Sequence, residues 1–251
     1  MNDLQKNYLL IDNSNSRTKI MRVVDGYAKG ELHVCPTADL SDPLLKELFA
    51  DEEYSLAVIS SVVPKCKMIF EAALECDVHY VTHLSPMEMD FDYSGVNTLG
   101  ADRVVNALAA TTLTPLPCIA VDAGTATTFD VVVQRDGKPV FIGGVIAPGL
   151  NAFTGYLHEK TACLPDIKCI EHSPNAVGKD TMGAMQAGAV YGFSGMCDGI
   201  IRRIEEQLGS RCAILVTGGD AELLRSKLNR DCILERNLTF IGLRKIAENL
   251  L

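Results

Sequence analysis

Residues 118–133 read CIAVDAGTATTFDVVV, two apolar runs rich in β-branched residues, joined by a short polar turn. The first run predicts a buried strand, and Asp122, Gly124 and Thr125 follow at its end. Gly124 can adopt a positive φ and bring the backbone close to a ligand, while Asp122 can hold a cation or a water. The stretch therefore predicts either a phosphate-binding strand–turn–strand loop or an ordinary hairpin with a glycine turn.

A similar pattern occurs near the start of the chain, where residues 8–24 read YLLIDNSNSRTKIMRVV. In this copy Asp12 takes the place of Asp122. The repetition predicts a duplicated domain whose two halves face each other across a central cleft. A third glycine-rich strand end, ILVTGGDAELL at residues 214–224, would bring three such turns to one nucleotide.

The predicted elements of the first half indicate an α/β fold, because three antiparallel strands are followed by alternating helices and strands. The chain has 251 residues, of which 47% are hydrophobic, enough for two cores of modest size. We expect an N-terminal domain over residues 1–114 and a C-terminal domain over residues 115–251.

The formal net charge of −9, without any run of Lys and Arg, argues against a nucleic-acid partner. The N-terminal residues lack the pattern of a signal peptide, and no apolar run approaches the ~20 residues of a membrane span. The nine cysteines never form C-x-x-C and are expected to be reduced, and the five histidines lack metal-site spacing. We therefore expect a cytoplasmic protein without a membrane or nucleic-acid partner.

A polar loop over residues 83–98 is too long for a simple connection, and such loops commonly carry function. It leads into a predicted helix that begins with Gly100, Ala101, Asp102 and Arg103. In one interpretation Asp102 only stabilises the positive end of the helix dipole. In the other, Asp102 and Arg103 hold a hydroxyl and a carboxylate of one small substrate, and the helix end and Arg103 keep Asp102 ionised.

Seven motifs follow one another in the order DNSNSRTK, SSVVP, Tyr93 with LGADR six residues later, DAGTATTFD, GGVIAPGL, GKDT and VTGGDA. Together they resemble the type III pantothenate kinases over nearly the whole chain. The resemblance implies duplicated actin-like ATPase (ribonuclease H-like) domains, as in the acetate and sugar kinase, Hsc70 and actin superfamily. It also implies transfer of the ATP γ-phosphoryl group to the 4′-hydroxyl of pantothenate, the first step towards coenzyme A. A homodimer that needs Mg²⁺ and a monovalent cation, K⁺ or NH₄⁺, is implied as well.

The resemblance also assigns roles to individual residues. ATP is expected to bind Asp12, Asn13, Ser14, Asn15, Ser16, Arg17, Thr18, Lys19 and Thr125. The pantothenate pocket is expected to contain Tyr93, Gly100, Ala101, Asp102, Arg103 and Thr181. Asp122 matches the monovalent-cation ligand, and Asp102 matches the general base that accepts the proton of the substrate hydroxyl.

Two positions depart from the family pattern. Ser14 stands where the family's first loop, Asp-x-Gly-Asn, has glycine, so a side chain lies where backbone is expected to approach phosphate. Gly95 and Val96 stand where the family has Asn-Pro, two residues after the tyrosine. Two other functions stay open: a kinase of a sugar or another small alcohol, and a non-catalytic regulator that binds a nucleotide or a partner protein.

Overall fold

The computed structural model describes residues 7–51, 53–167, 170 and 174–251. The described residues form two compact units. Unit 1 takes its described residues from Met1–Thr112 and Asn237–Leu251, and unit 2 takes them from Leu113–Arg236. Each unit has its own hydrophobic core, so each can be described by itself.

Eleven strands and seven α-helices lie in the described part of the chain. The strands are β1 (Tyr8–Asn13), β2 (Arg17–Val24), β3 (Tyr27–Pro36), β4 (Leu56–Ser61), β5 (Asp77–Tyr80), β6 (Asp90–Phe91), β7 (Cys118–Ala123), β8 (Ala126–Arg135), β9 (Lys138–Pro148), β10 (Ala213–Thr217) and β11 (Ile233–Leu234). The helices are α1 (Asp42–Phe49), α2 (Lys67–Ala73), α3 (Ala101–Leu113), α4 (Leu150–Lys160), α5 (Thr181–Leu208), α6 (Ala221–Lys227) and α7 (Leu238–Leu250).

The sheet of unit 1 has the strand order β3-β2-β1-β4-β5. Strands β1, β2 and β3 are antiparallel neighbours, whereas β4 runs parallel to β1 and β5 runs parallel to β4. The central strand β1 is buried along its whole length, because its apolar residues are covered on both faces of the sheet. Its buried carboxyl end carries Asp12 and Asn13, the first residues of the predicted ATP loop.

Unit 2 repeats this arrangement, with five strands in the order β11-β10-β7-β8-β9. Strands β7, β8 and β9 are antiparallel, and β10 and β11 are added in parallel. Both units also share an irregularity in strand pairing. The register between the second and third strands shifts between Ile20 and Arg22 in unit 1, and between Val131 and Val132 in unit 2. The duplication predicted from the two strand–turn–strand loops is therefore present in the fold.

The last helix belongs to unit 1, although the predicted boundary had placed residues 237–251 in the C-terminal domain. Helix α7 packs on β1 and β4. Thr239 Oγ1 donates a hydrogen bond to Asn106 Oδ1 of α3 at 2.9 Å, and both side chains are buried. A Cβ at Gly242 would lie only 2.1 Å from the Val105 carbonyl oxygen, so glycine allows α7 to lie directly against α3. The C-terminal helix α7 therefore covers strands β1 and β4 on one face of the unit 1 sheet.

The longest helix, α5, begins with an N-terminal cap and ends in a left-handed residue. The Asp180 carboxylate accepts a hydrogen bond from the Gly183 N–H at 2.7 Å, and Gly209 ends the helix with a φ of +67°. Helix α4 lies against α5 where Gly192 faces the Phe153 ring, 3.1 Å from a Cβ at that glycine. One of the small residues of α5 therefore serves a helix contact inside unit 2.

Candidate active site

The loop between β1 and β2 is a tight turn closed by its own hydrogen bonds. The Ser14 N–H and the Ser14 hydroxyl both donate to the Arg17 carbonyl oxygen, at 3.2 Å and 2.9 Å. Thr37, the residue after β3, stabilises the turn, because its hydroxyl donates a hydrogen bond to the Ser14 carbonyl oxygen at 2.7 Å. At the family's glycine position, Ser14 therefore uses its hydroxyl to close the turn.

Two of the predicted ATP-binding residues, Asn13 and Thr18, take part in a buried hydrogen-bond network beneath the turn. Asn13 Nδ2 donates to Thr18 Oγ1 at 2.8 Å, and Ser61 Oγ donates to Asn13 Oδ1 at 2.7 Å. The Thr18 hydroxyl also pairs with the Thr37 hydroxyl at 3.0 Å. Asn13 and Thr18 are fully buried, whereas Asn15, Ser16 and Arg17 are exposed. The buried side chains of Asn13 and Thr18 therefore stabilise the conformation of the loop through hydrogen bonds beneath it.

Asp12 and Lys19 form an ion pair across β1 and β2. Lys19 Nζ lies 3.2 Å from Asp12 Oδ2, and Asp12 is only 6% exposed. Burial raises the pKa of Asp12, Lys19 opposes that shift, and the negative charge of Asp102 adds to it. Two predicted site residues of unit 1, Lys19 and Asp102, therefore lie close enough to Asp12 to act on its charge.

The first turn of α3 holds Asp102 in a folded-back position. Asp102 Oδ1 accepts a hydrogen bond from the Arg103 N–H at 2.8 Å, which satisfies a free donor of the helix start. A Cβ at Gly100 would lie 2.5 Å from that same oxygen, so glycine leaves room for the carboxylate. Ala101 and Arg103 are buried, and Asp102 is partly buried.

The pKa of Asp102 depends mainly on burial, whereas the sequence had suggested that the helix end and Arg103 would determine it. Burial raises the pKa of Asp102, and it outweighs the hydrogen bond from the Arg103 backbone and the positive charge of Arg103, which both lower it. Sequence reasoning considered only the helix end and the arginine, because the depth of burial is not visible in a linear motif. A raised pKa is the direction expected of a carboxylate that accepts a proton.

Tyr93 lies in the loop before α3 and is partly buried. Its carbonyl oxygen accepts a hydrogen bond from the Val96 N–H at 3.1 Å, which begins a short 3-10 turn over Val96–Thr98. A Cβ at Gly95 would lie 3.1 Å from Tyr93 Cε1, so the ring packs against the backbone of Gly95. The residues that replace the family's Asn-Pro thus form an ordered turn beside the tyrosine.

The second loop, in unit 2, brings together three segments that are far apart in sequence. Gly149 N–H donates to the Thr125 carbonyl at 3.2 Å, and a Cβ at Gly149 would collide with the Gly124 carbonyl oxygen. Gly218 has a φ of +99°, and a Cβ there would lie 2.5 Å from Asp122 Oδ1. Asp122, half buried, and the exposed Thr125 therefore stand among closely packed backbone carbonyls and amides.

The role predicted for Gly124 was wrong in one respect. Its φ is not in the left-handed region, and no atom within 3.4 Å would meet a Cβ there. The left-handed residue of this site is Gly218, whose turn lies against Asp122 and whose neighbour Asp220 donates its N–H to the Ala123 carbonyl at 2.9 Å. Motif inspection located both turns, but only the backbone shows which one needs glycine for its conformation.

Thr181 is the first residue of α5 in unit 2, whereas the other residues predicted for the pantothenate pocket belong to unit 1. It is exposed and lines a cavity of about 490 Å³ whose walls include Phe153, Leu157 and Met185. The surroundings of Thr181 are therefore mainly apolar.

Sequence reasoning missed three hydroxyl residues of unit 1. Thr37 and Ser61 belong to the buried network that shapes the first loop. Ser60 pairs in register with Asp12 and is 1% exposed. The motif SSVVP contains both serines, but the sequence alone does not show which residues their hydroxyls contact.

In the part of the chain that the structure describes, no group of three or more His, Cys, Asp or Glu side chains could hold a metal ion. Among the same residues, no helix is long and apolar enough to cross a membrane.

Two sheets of the same strand order, each with a strand–turn–strand loop at its central strand, match an actin-like ATPase fold. Solved structures agree: an archaeal actin homologue superposes with a TM-score of 0.51 at 12% identity, covering 96% of this chain and 99% of its own. The ethanolamine utilization protein EutJ from Carboxydothermus hydrogenoformans gives a TM-score of 0.56 at 14% identity, covering 96% of this chain and 89% of its own.

The sequence profile of the type III pantothenate kinases matches residues 8–203. A type III pantothenate kinase from Akkermansia muciniphila is 39% identical over 240 residues, covering 96% of this chain and 98% of its own length. The chain therefore belongs to the type III pantothenate kinase family.

Proposed function

We propose that this protein transfers the γ-phosphoryl group of ATP to the 4′-hydroxyl of pantothenate. The observation that carries the proposal is the α3 turn, where Asp102, its pKa raised by burial, stands beside the buried Arg103 in the unit that carries the Asp12–Lys19 loop. Phosphoryl transfer needs charge neutralisation, an aligned hydroxyl and a group to accept its proton. These residues match those needs, in a chain that belongs to this kinase family.

Asp102 is the general base in this proposal. Oδ1 caps the helix, so the carboxylate is held in one orientation while it accepts the proton of the substrate hydroxyl. Arg103 and Tyr93 bind the acceptor, with the guanidinium directed to its carboxylate. Gly100 and Ala101 form the backbone beside them, and Thr181 of unit 2 is a further pantothenate-binding residue in this proposal.

ATP binds the first loop and Thr125 of the second loop. The exposed side chains of Asn15, Ser16 and Arg17 contact the nucleotide, while Lys19 supplies positive charge for the phosphates. Asn13 and Thr18 contribute by fixing the loop through their buried hydrogen bonds, and Ser14 contributes through the turn that it closes.

Magnesium fits the environment of Asp12. The carboxylate is nine-tenths buried at a strand end, and the Ser60 hydroxyl, which has no hydrogen-bond partner among the described residues, lies on the neighbouring strand. When bound, Mg²⁺ neutralises the phosphates of ATP. A monovalent cation, K⁺ or NH₄⁺, is proposed at Asp122, where a carboxylate and backbone carbonyls supply the oxygen ligands that hard cations prefer.

We also propose that the protein is a homodimer and acts in the cytoplasm. Tyr191 on α5 is 41% exposed, and a Cβ at Gly188 or Gly195, on the same side of the helix, would meet nothing within 4 Å. This open, weakly polar helix face supports a contact with a second copy. The cysteines of the described residues are free, which supports a reducing compartment. Sedimentation equilibrium tests the dimer, and a monomer at micromolar concentration would contradict it.

A coupled assay for ADP release tests the proposed function. With Mg·ATP and K⁺ present, we expect release that depends on pantothenate and not on a panel of sugars and other small alcohols. Release with a sugar alone would support the kinase with another acceptor. ATP binding without release with any acceptor would support a non-catalytic regulator.

A further inference from the structure

Ser60, the penultimate residue of β4, has a buried hydroxyl without a partner. The residue is 1% exposed, and its Oγ finds no hydrogen-bond partner in the part of the chain that the structure describes. Buried hydroxyls nearly always have a hydrogen-bond partner, because a hydroxyl that is buried without one loses its hydrogen bond to water and gains nothing in its place. The hydroxyl therefore indicates a partner that the protein chain itself does not supply.

The register of the sheet places Ser60 beside Asp12. The two residues are Cα partners on the parallel strands β4 and β1, so their side chains lie on the same face. Ile11 and Ile59, their preceding neighbours, belong to the core on the opposite face. Both side chains also lie at the carboxyl ends of parallel strands, where α/β folds bind their ligands.

The adjacent residue shows that hydroxyls at this strand end can be satisfied by the protein. Ser61 Oγ donates to Asn13 Oδ1 at 2.7 Å and accepts from the Val63 N–H at 3.2 Å. The missing partner is therefore specific to the face that Ser60 shares with Asp12.

The turn that carries Asp102 lies near the same strand end. A Cβ at Gly100 would lie 3.8 Å from Val62 Cγ1, two residues beyond Ser60. Ser60 thus lies beside Asp12, the carboxylate proposed for magnesium, and two residues from the contact with the turn that carries Asp102.

We propose that the Ser60 hydroxyl is a further ligand-binding residue, one that hydrogen-bonds to the water shell of the magnesium ion of Mg·ATP at Asp12. The inference rests on the proposed function, which places Mg·ATP at the first loop. Magnesium keeps several of its waters when it binds proteins, and those waters need acceptors. A neutral hydroxyl beside a carboxylate supplies an acceptor without adding charge to the site.

Thermal unfolding of the ligand-free protein gives the first test. Ser60→Ala removes a hydroxyl that has no partner, so its Tm should equal or exceed that of the wild type. Ser61→Ala is the matched control: it breaks two hydrogen bonds in the adjacent residue, and its Tm should fall. A fall for Ser60→Ala as large as that for Ser61→Ala would overturn the inference, because the hydroxyl would then be structural.

Calorimetric titration gives the second test, with Mg·ATP and with ATP in EDTA as probes. We expect Ser60→Ala to weaken Mg·ATP binding by about 3–10-fold, the effect of one hydrogen bond, and to leave ATP binding in EDTA unchanged. Unchanged Mg·ATP affinity would overturn the inference. An equal loss in EDTA would overturn the assignment to the magnesium waters.

The wild-type protein separates this inference from the proposed function. If it binds Mg·ATP but releases no ADP with pantothenate, the proposed function fails and the Ser60 comparison can still be made. If it releases ADP with pantothenate and Ser60→Ala binds Mg·ATP like the wild type, only the inference on Ser60 fails.

Discussion

Lys19 Nζ lies 3.2 Å from Asp12 Oδ2, and the two residues face each other in register on β2 and β1. Asp12 is buried at the strand end, whereas the Lys19 side chain is 35% exposed. The lysine therefore opposes the effect of burial, which raises the pKa of Asp12, and it does so from a position that solvent and ligands can reach. The pair links the stability of unit 1 to the proposed phosphate site.

Lys19→Met should leave the Asp12 carboxylate buried without its cation. We expect a loss of about 1–3 kcal/mol in the free energy of unfolding at neutral pH, together with weaker ATP binding. Urea unfolding and calorimetry measure the two effects. In the double variant Asp12→Asn with Lys19→Met, stability should return because no charge remains buried, while ATP binding should stay weak. A single variant as stable as the wild type would show that the pair contributes little.

Asp102→Asn should lower turnover by about 10²–10⁴-fold while ATP affinity stays near that of the wild type. Asparagine keeps an oxygen that can accept the Arg103 N–H hydrogen bond, so the helix start should survive. Steady-state turnover and calorimetric ATP affinity are measured on a variant shown to be folded. If more than a tenth of the turnover remains, Asp102 is only a helix cap, and Asp12 becomes the next candidate for the base.

The same variant should change how stability depends on pH. Because burial raises the pKa of Asp102, the wild-type carboxyl stabilises the fold fully below its unfolded pKa and loses that contribution as the pH rises through the folded value. Asp102→Asn cannot ionise, so its stability relative to the wild type should increase as the pH rises from about 4 towards neutrality. Urea unfolding across that range without ligand measures the difference. A difference that is constant with pH would mean that Asp102 has the same pKa folded and unfolded.

Activity should depend on a monovalent cation bound at Asp122. We expect the rate to rise when K⁺ or NH₄⁺ replaces Na⁺ or Tris, because the larger ions suit a site of carbonyl and carboxylate oxygens. Asp122→Asn removes the charge that holds the ion and should abolish the response. Equal rates in all buffers for the wild type would rule out the cation at this position.

Ser14 can be tested with two substitutions that separate its Cβ from its hydroxyl. Ser14→Gly should tighten ATP binding several-fold if the Cβ obstructs the phosphate, an effect of roughly 1 kcal/mol. Ser14→Ala keeps the Cβ but loses the hydrogen bond to the Arg17 carbonyl, so it should not tighten binding. Calorimetry compares the two with the wild type. Weaker binding in Ser14→Gly would identify the turn that the hydroxyl closes as the more important feature.

Much of the molecule follows from its one-dimensional pattern. The alternation of apolar runs and turns predicts strands, and Asp25–Gly26 and Asp136–Gly137, residue types that favour such turns, have all four residues at positive φ. The repeated Asp-centred loop predicted the duplication, since a strand and its turn are local structures encoded by adjacent residues. The ordered motifs identified the family, which the sequence profile over residues 8–203 confirms.

Other features depend on contacts between residues that are distant in sequence. Only the fold shows that Asn13 faces Ser61 and that Ser60 pairs with Asp12, because strand register joins positions 48 residues apart. Burial decided the direction of the Asp102 pKa, and packing decided that α7 belongs with β1 and β4. Desolvation and packing are sums over the whole neighbourhood of a residue, so no local motif contains them.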